Sequence, residues 1–189
     1  PRLGLGDADV IAAADGIHSA VRARHAAKFQ PDLAMGKAKF IWLGTTFPFQ
    51  AFTFYFVENE HGVFQAHSYR FDEQLSTFIV ECDEASWRRA GYDTLDLHGT
   101  VAACEELFAP WLQGHRLMTN ARHMAAPWAN FTRVRNAAWF HDNIVLIGDA
   151  AHTAHFSIGS GTKLAMEDAI ALARELGADW ALPVARTPY

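Results

Sequence analysis

The 189-residue chain lacks an excess of positive charge: 16 Lys and Arg stand against 21 Asp and Glu, a formal charge of -5 with histidine neutral. A protein that drew its affinity from phosphate contacts would carry the opposite balance, so nucleic acid is not an expected partner. Cysteine is scarce as well. Cys82 and Cys104 are too few and too unpatterned for a disulfide scaffold or a cysteine-based zinc site, which points to two buried thiols in a reducing, cytoplasmic setting. No apolar run approaches the ~20 residues of a membrane span, and PRLGLGDADV has neither the charged nor the hydrophobic region of a signal peptide. No membrane role is expected. Repeats and low-complexity tracts are missing too. Half of the residues are hydrophobic and only a fifth are charged, which excludes global disorder and supplies the cores of one or two domains. The chain starts at Pro1 instead of Met and enters a strand-like run within ten residues, so a piece of a longer protein is expected.

The run ADVIAAADG reads as a strand ending in a turn at Asp15-Gly16. A short helix then runs from Ser19 through Arg24, with the Ser19 hydroxyl placed to accept an orphan amide of the first turn. Strand, turn and helix in that order are α/β grammar. From Phe40 to Cys82 the composition turns β-branched and aromatic, in the runs FIWLGTTF, AFTFYFVE, VFQAHSYR and LSTFIVEC, which predict an antiparallel meander. Phe52, Phe54 and Phe56 alternate onto one face, and Asn59-Glu60-His61-Gly62 reads as a hairpin loop. Asp83 caps a short helix containing Trp87, and Val101, Cys104, Leu107 and Phe108 mark a second helix that ends before Pro110.

Past Pro127, WANFTRVRN is a strand candidate, and NIVLIGD is a short apolar strand that delivers Gly148-Asp149 at its end. A loop follows, and from Thr162 the spacing of Leu164, Met166, Ile170, Ala173 and Leu176 is helical, closed by Gly177. The expected organisation is therefore α/β, a β-rich insert, then α/β again. Boundaries fall at 1–36, 37–126 and 127–189, and one sheet is built from sequence-distant parts.

The segment from Asn143 to the last helix carries the strongest chemical signal. Ligands of open α/β sheets sit just outside the carboxyl ends of the strands, and an Asp there can accept hydrogen bonds from ligand hydroxyls. The amides of Gly161, Thr162 and Lys163, at a positively polarised helix N-terminus, can hold an anion or an electron-rich ring edge, while Gly159 and Gly161 permit close approach. The alternative is an ordinary strand–turn–helix connection in which Asp149 caps the turn. His152 and His155 invite a metal reading, but no Cys or carboxylate stands at ligand spacing and no metal is expected. On VFQAHSYR, the side chains of Gln65, His67 and Tyr69 share one face, either as a polar row over a substrate pocket or as the solvated side of a sheet.

Gly148-Asp149-Ala150-Ala151-His152 with its helix resembles the second FAD-binding motif of the flavin-dependent aromatic hydroxylases, single-component monooxygenases with the p-hydroxybenzoate hydroxylase fold. Asp15-Gly16-Ile17-His18-Ser19-Ala20-Val21-Arg22 resembles their DGxxSxVR motif, and the middle segment is similar to the substrate sheet of the salicylyl-CoA and aminobenzoyl-CoA hydroxylase branch. The resemblance implies a fold of mixed α/β (α+β) class, with an incomplete FAD-binding Rossmann-like domain and an inserted antiparallel β-sheet substrate domain. It also implies FAD as cofactor, NAD(P)H as co-substrate, and hydroxylation of an aromatic substrate, favoured as an aryl-CoA thioester, through a flavin C4a-hydroperoxide.

By the same resemblance Asp149, beside Gly148, holds a ribityl hydroxyl, and the turn Gly161-Thr162-Lys163 faces the pyrimidine edge of the isoalloxazine. Asp15, Gly16 and Arg22 serve the pyrophosphate and nicotinamide region, although Arg22 alone also reads as a solvated helix residue. The loop with His152, His155 and Phe156 would line the flavin, and His155 and Phe156, with Gln65, His67 and Tyr69, are the candidate substrate contacts, packing being the alternative for the loop residues. The family's opening GxGxxG is missing, and Gly4-Leu5-Gly6 does not replace it because no strand precedes it. The tail ADWALPVARTPY also stops short of the helical remainder that the family has. An N-terminal part of the same polypeptide is the expected partner. The alternatives are a truncated, non-catalytic or partner-dependent half, or a related halogenase or reductase.

Overall fold

A computed structural model describes residues 8–119 and 128–177 of the chain. Its first strands and helices are β1 (Ile11–Ala13), α1 (Ala20–Arg24), α2 (Ala26–Phe29), β2 (Pro31–Thr45), β3 (Thr53–Asn59), β4 (Gly62–Ser68) and β5 (Ser76–Cys82). There follow α3 (Glu84–Arg89), α4 (Leu97–Leu112), β6 (Leu117–Met118), β7 (Ala129–Asn136), β8 (Phe140–His141), β9 (Ile144–Leu146) and α5 (Gly161–Glu175), with short 3-10 turns between some of them. Two compact units result, Pro1–Ala34 with Thr132–Tyr189, and Met35–Phe131. The expected boundary at 126/127, the glycines of Gly4-Leu5-Gly6 and the tail from Ala178 lie outside the described residues.

In the first unit β1 pairs in parallel with β9, Ile11 opposite Ile144 and Ala13 opposite Leu146, and β8 adds antiparallel to the other side of β9. One sheet is thus assembled from sequence-distant strands, as the return of α/β grammar predicted. Ala13, Phe29, Leu146 and Ala151 form its small buried core. Ser19 caps α1 as expected, its hydroxyl accepting the Arg22 amide at 2.9 Å.

The second unit is a twisted sheet in the order β3-β4-β5-β2-β6, with β7 also pairing with β2. Alternation decides its two faces. Ile41, Leu43, Phe64, Phe78 and Val80 turn into a core shared with Cys104, Phe108 and Leu112 of α4, where Phe78 meets Phe108 edge to face at 5.4 Å. The β3–β4 hairpin forms as expected, Asn59 opposite Gly62, and Gly62 adopts φ +132°, a conformation closed to most side chains.

Two expectations need correction. The four runs do not form a simple meander, because β2 pairs with β5 along Lys39–Thr45 and not with β3. The connection after β2 buries Phe49 and packs Phe47 against the core, and it carries the chain to the far edge before the hairpins begin. Nor does α4 end before Pro110. The proline removes one amide donor in the last turn, but Leu112 beyond it is 2% exposed in the core, and the helix closes only at Gln113, in a left-handed conformation with φ +48°.

Asp83 caps α3, its carboxylate accepting the amides of Ala85 and Ser86 at 2.8 and 2.9 Å. Among the described residues no helix is long and apolar enough to cross a membrane, and Cys82 and Cys104 are both free and buried.

Candidate functional site

The β9 strand ends at Leu146, and its chain passes through Ile147 into a 3-10 turn over Gly148–Ala150. Gly148 takes φ +58°, which a glycine adopts without strain, and a Cβ built on it would stand 3.3 Å from the Cβ of Ala165 on α5. The turn therefore lies against that helix.

Side chains from elsewhere in the unit hold its backbone. The Gly148 amide donates to Asp168 Oδ2 on α5 at 2.8 Å, and the same oxygen meets His152 Nε2 at 2.8 Å. The His152 ring in turn stacks on Trp139, 4.6 Å between centroids and 16° between planes. Arg22 of α1 donates to the carbonyl of Ala150 at 2.9 Å, to that of Asp149 at 3.5 Å, and to that of Ile17. Asn136 donates to the carbonyls of Ala150 and Ala151, and Thr153 Oγ1 accepts the Val134 amide at 2.8 Å. Within this frame the Asp149 side chain is exposed, and its carboxylate meets no donor among the described residues.

The N-terminus of α5 is equally open. Ser160 at its cap makes no side-chain bond to the helix, and the amides of Gly161, Thr162 and Lys163 meet no acceptor among the described residues. Gly159, at φ +69°, and Gly161 have no atom within 4 Å of where a Cβ would stand. Lys163 Nζ pairs with Glu167 one turn on, which leaves the backbone donors as the offered groups. A 15-residue helix presents positive potential there.

The first motif is used inside the fold. The Asp15 carboxylate accepts the amides of Ala20 and Val21 at 2.8 and 3.2 Å, and Gly16 makes the turn at φ +78°. Burial works to raise the Asp15 carboxyl, but hydrogen bonds from Ser19 and those amides outweigh it and hold it below its ordinary value. Arg22 is 3% exposed, so it is no solvated helix residue. His155 Nδ1 bonds Ser157 Oγ at 2.8 Å and its ring stacks on Phe156 at 4.5 Å. Among the described residues no three His, Cys, Asp or Glu side chains come together as a metal site.

In the second unit, the polar row on β4 is not a solvated face. His67 is 2% exposed, under the rings of Phe52 and Phe54 at 5.9 and 5.8 Å, while Tyr69 stacks on Phe52 at 5.5 Å. Gln65 donates to Glu81 Oε2 at 3.2 Å. Phe52, Phe54 and Phe56 stay largely exposed on that side of the sheet. A separate cavity of about 250 Å³ is lined by Trp42, Phe71, Leu75 and Met118 among others.

Residues 7–180 match the family model described as FAD binding domain. The chain belongs to this family. It is 46% identical to salicyloyl-CoA 5-hydroxylase from Streptomyces sp, over 92% of this chain and 34% of that protein. It is 40% identical to 3-hydroxy-4-methyl-anthranilyl-[aryl-carrier protein] 5-monooxygenase from Streptosporangium sibiricum, over 91% and 44%. The chain thus spans between a third and a half of the length of these curated relatives. Among solved structures, 2-methyl-3-hydroxypyridine-5-carboxylic acid oxygenase superposes with TM-score 0.61 at 18% identity, covering 89% of this chain and 45% of that one. A ternary complex of aklavinone-11 hydroxylase with FAD and aklavinone gives 0.60, also at 18%, covering 89% and 31%. These likenesses show the fold, and the resemblance read from the two motifs is borne out at the level of the family.

The residues present fit the family's cofactor. An unpartnered carboxylate can accept from a polyol, unpartnered helix amides can donate to ring oxygens, and two glycines leave the approach open. The sequence reading had brought out Asp149 and the α5 amides. It missed Asp168, His152 as a partner, Trp139 and Asn136. Asp168 shares a helical face with Gly161 and Ala165, and an acid on the face that carries two small residues was the available signal.

Proposed function

We propose that the polypeptide to which this chain belongs is an FAD-dependent monooxygenase that hydroxylates an aromatic acyl group, with NAD(P)H as electron donor. The observation that carries the reading is the Gly148–Asp149 turn, whose backbone is clamped on both sides while its carboxylate is left exposed. Asp149 accepts a hydrogen bond from a ribityl hydroxyl of FAD, and the amides of Thr162 and Lys163 donate to the pyrimidine edge of the ring. Positive potential at that helix end favours negative charge on the edge that meets it. Bound FAD supplies the electron transfer and oxygen activation that no side chain here can provide. In this reading Asp15 and Gly16 shape the turn on which α1 starts, and Arg22 holds the carbonyls of Asp149 and Ala150 in the cofactor turn.

The second unit is read as the substrate domain. Its exposed phenylalanines with Gln65, His67 and Tyr69 offer an aromatic surface to the substrate. The two curated relatives named above are called after a salicyloyl-CoA and an anthranilyl group on an aryl-carrier protein, which supports an aryl thioester as the substrate class. A cavity of about 660 Å³ in the first unit, lined by Val10, Ala12, Ile147, Leu172 and Leu176, leaves apolar surface of β1 and α5 open. We assign its cover to an N-terminal part of the same polypeptide. Two unpaired, buried thiols support a reducing, cytoplasmic location.

The test is a titration of FAD into the polypeptide expressed from the complete gene. Asp149→Ala should weaken binding by about 10- to 100-fold, the worth of a ligand hydrogen bond to a charged group. Unchanged affinity would sink the assignment. Aryl-CoA-dependent oxygen consumption with NAD(P)H checks the substrate class.

A further inference from the structure

The mid-helix position of Asp168 is unexpected for its chemistry. Aspartate is a poor helix former, and its side chain here is only 14% exposed, with no Lys or Arg paired to it among the described residues. One oxygen does all the work that the geometry shows, accepting both the Gly148 amide and His152 Nε2 at 2.8 Å. The His152 ring, stacked on Trp139, cannot turn away without losing that contact. The small side chain of Ala165, one turn earlier on the same face, lets the Gly148 backbone come close enough.

A glycine at φ +58° is unstrained but also free to leave that conformation, since nothing in its own side chain resists. Asp168 pins the Ile147–Gly148 peptide through the Gly148 amide. The peptide that enters Asp149 is held by its Gly148 carbonyl, which accepts the amides of Ala151 and of His152, the same residue whose ring Asp168 holds, at 2.8 and 2.9 Å. The carbonyl after Asp149 is held at 3.5 Å by Arg22, and that of Ala150 by Arg22 and Asn136. Asp149 therefore sits between two fixed peptides, and the direction of its carboxylate follows from them.

We infer that Asp168 is a positioning residue for cofactor binding, fixing the Gly148 peptide and His152 so that Asp149 presents its carboxylate to the ligand. The inference rests on the reading of Asp149 as the FAD ligand. It predicts that the effect of Asp168 on binding passes through Asp149.

The experiment is a double-mutant cycle on FAD affinity, read by flavin fluorescence in the polypeptide expressed from the complete gene, at a temperature where every variant is folded by circular dichroism. Asp168→Ala should raise the FAD Kd about tenfold, and Asp168→Asn, isosteric with a weaker acceptor, about threefold. In an Asp149→Ala background neither change should raise Kd further, because the group being aimed is gone. A purely stabilising aspartate would lower Tm and leave Kd unmoved, so an unchanged Kd for Asp168→Ala beside a weakened Asp149→Ala overturns this inference alone. Additive effects overturn it as well, since they place the action of Asp168 elsewhere. An unchanged Kd for Asp149→Ala overturns the cofactor reading itself. Should Asp168→Ala not fold, Asp168→Asn carries the cycle: a rise that vanishes without Asp149 supports the inference, and no rise refutes it.

Discussion

Replacing Arg22 by methionine separates a residue that holds the fold from one that reads the cofactor. The guanidinium is 3% exposed and makes its two closest bonds to the carbonyls of Ile17 and Ala150, with that of Asp149 at 3.5 Å. Hydrogen bonds from a charged donor contribute roughly 1.5–3 kcal/mol each, so the two close ones together stabilise by about 3–6 kcal/mol. Part of that returns in the variant, because a buried cation no longer has to be stripped of water and because Asn136 still donates to Ala150 at 3.3 Å. The net loss should be about 2–3 kcal/mol, which for a chain of this size lowers Tm by roughly 4–12 °C.

The assay is thermal unfolding by circular dichroism without FAD. Arg22→Lys should recover little, since a lysine ammonium lacks the planar fork that bridges two separate carbonyls. A Tm within about 1 °C of the parent, together with weakened FAD affinity, would refute the clamp and return Arg22 to direct contact with the cofactor.

Two further outcomes follow from the titrating groups. Asp15 is held below its ordinary value of 3.8 by hydrogen bonds that outweigh burial, and so is Asp83, chiefly by Ser86, whose hydroxyl donates to it at 2.6 Å. A depressed carboxyl contributes stability above its unfolded value and loses it as pH falls through the folded one, so the parent should weaken steeply below about pH 4. Asp15→Asn with Asp83→Asn should flatten that acid limb in urea titrations, and superimposable limbs would contradict the assignment. Burial pushes the Cys82 thiol up to about 12, with Asp83 and Glu81 adding to it, and drives Cys104 higher still. A thiol reagent at pH 8 should therefore label neither cysteine until the protein is unfolded, and rapid native labelling of Cys82 would show that its cover opens.

Local rules carried the reading wherever a residue's role is set by its near neighbours in the chain. Ser19 and Asp83 cap their helices, Gly62 ends a two-residue hairpin loop, and Phe52, Phe54 and Phe56 share one face, with Phe52 and Phe54 over His67 and Tyr69 of the same side. The site was legible in the same degree, because a strand that ends in Gly148-Asp149 and a helix that starts at Gly161 are both local patterns. What escaped was pairing at a distance. Nothing within β2 says that its partner is β5, and nothing within α5 says that Asp168 answers to Gly148, twenty positions earlier. Arg22 stands out for its motif, yet its contact with Ala150 lies 128 positions away and excludes the alternative of a solvated helix residue.

The apolar stripe of α5 shows a different limit. The spacing of Leu164, Met166, Ile170, Ala173 and Leu176 predicts the helix and the helix forms, but Met166, Ile170 and Leu176 are 56, 50 and 49% exposed and no residue of the helix is fully buried. Periodicity reports which way an apolar face points, not what covers it. Here β1 has a strand partner on one side only among the described residues, and the groove between β1 and α5 is apolar along much of its length. A parallel strand with one unpaired edge beside an uncovered helix is half of a layered sheet, and parallel sheets are stable when covered on both faces. The Gly148–Asp149 turn hangs from that same incomplete layer, on β9 and α5. FAD affinity measured on residues 1–189 alone should therefore fall below that of the polypeptide from the complete gene, even though Asp149, Asp168 and the α5 amides are all present in both.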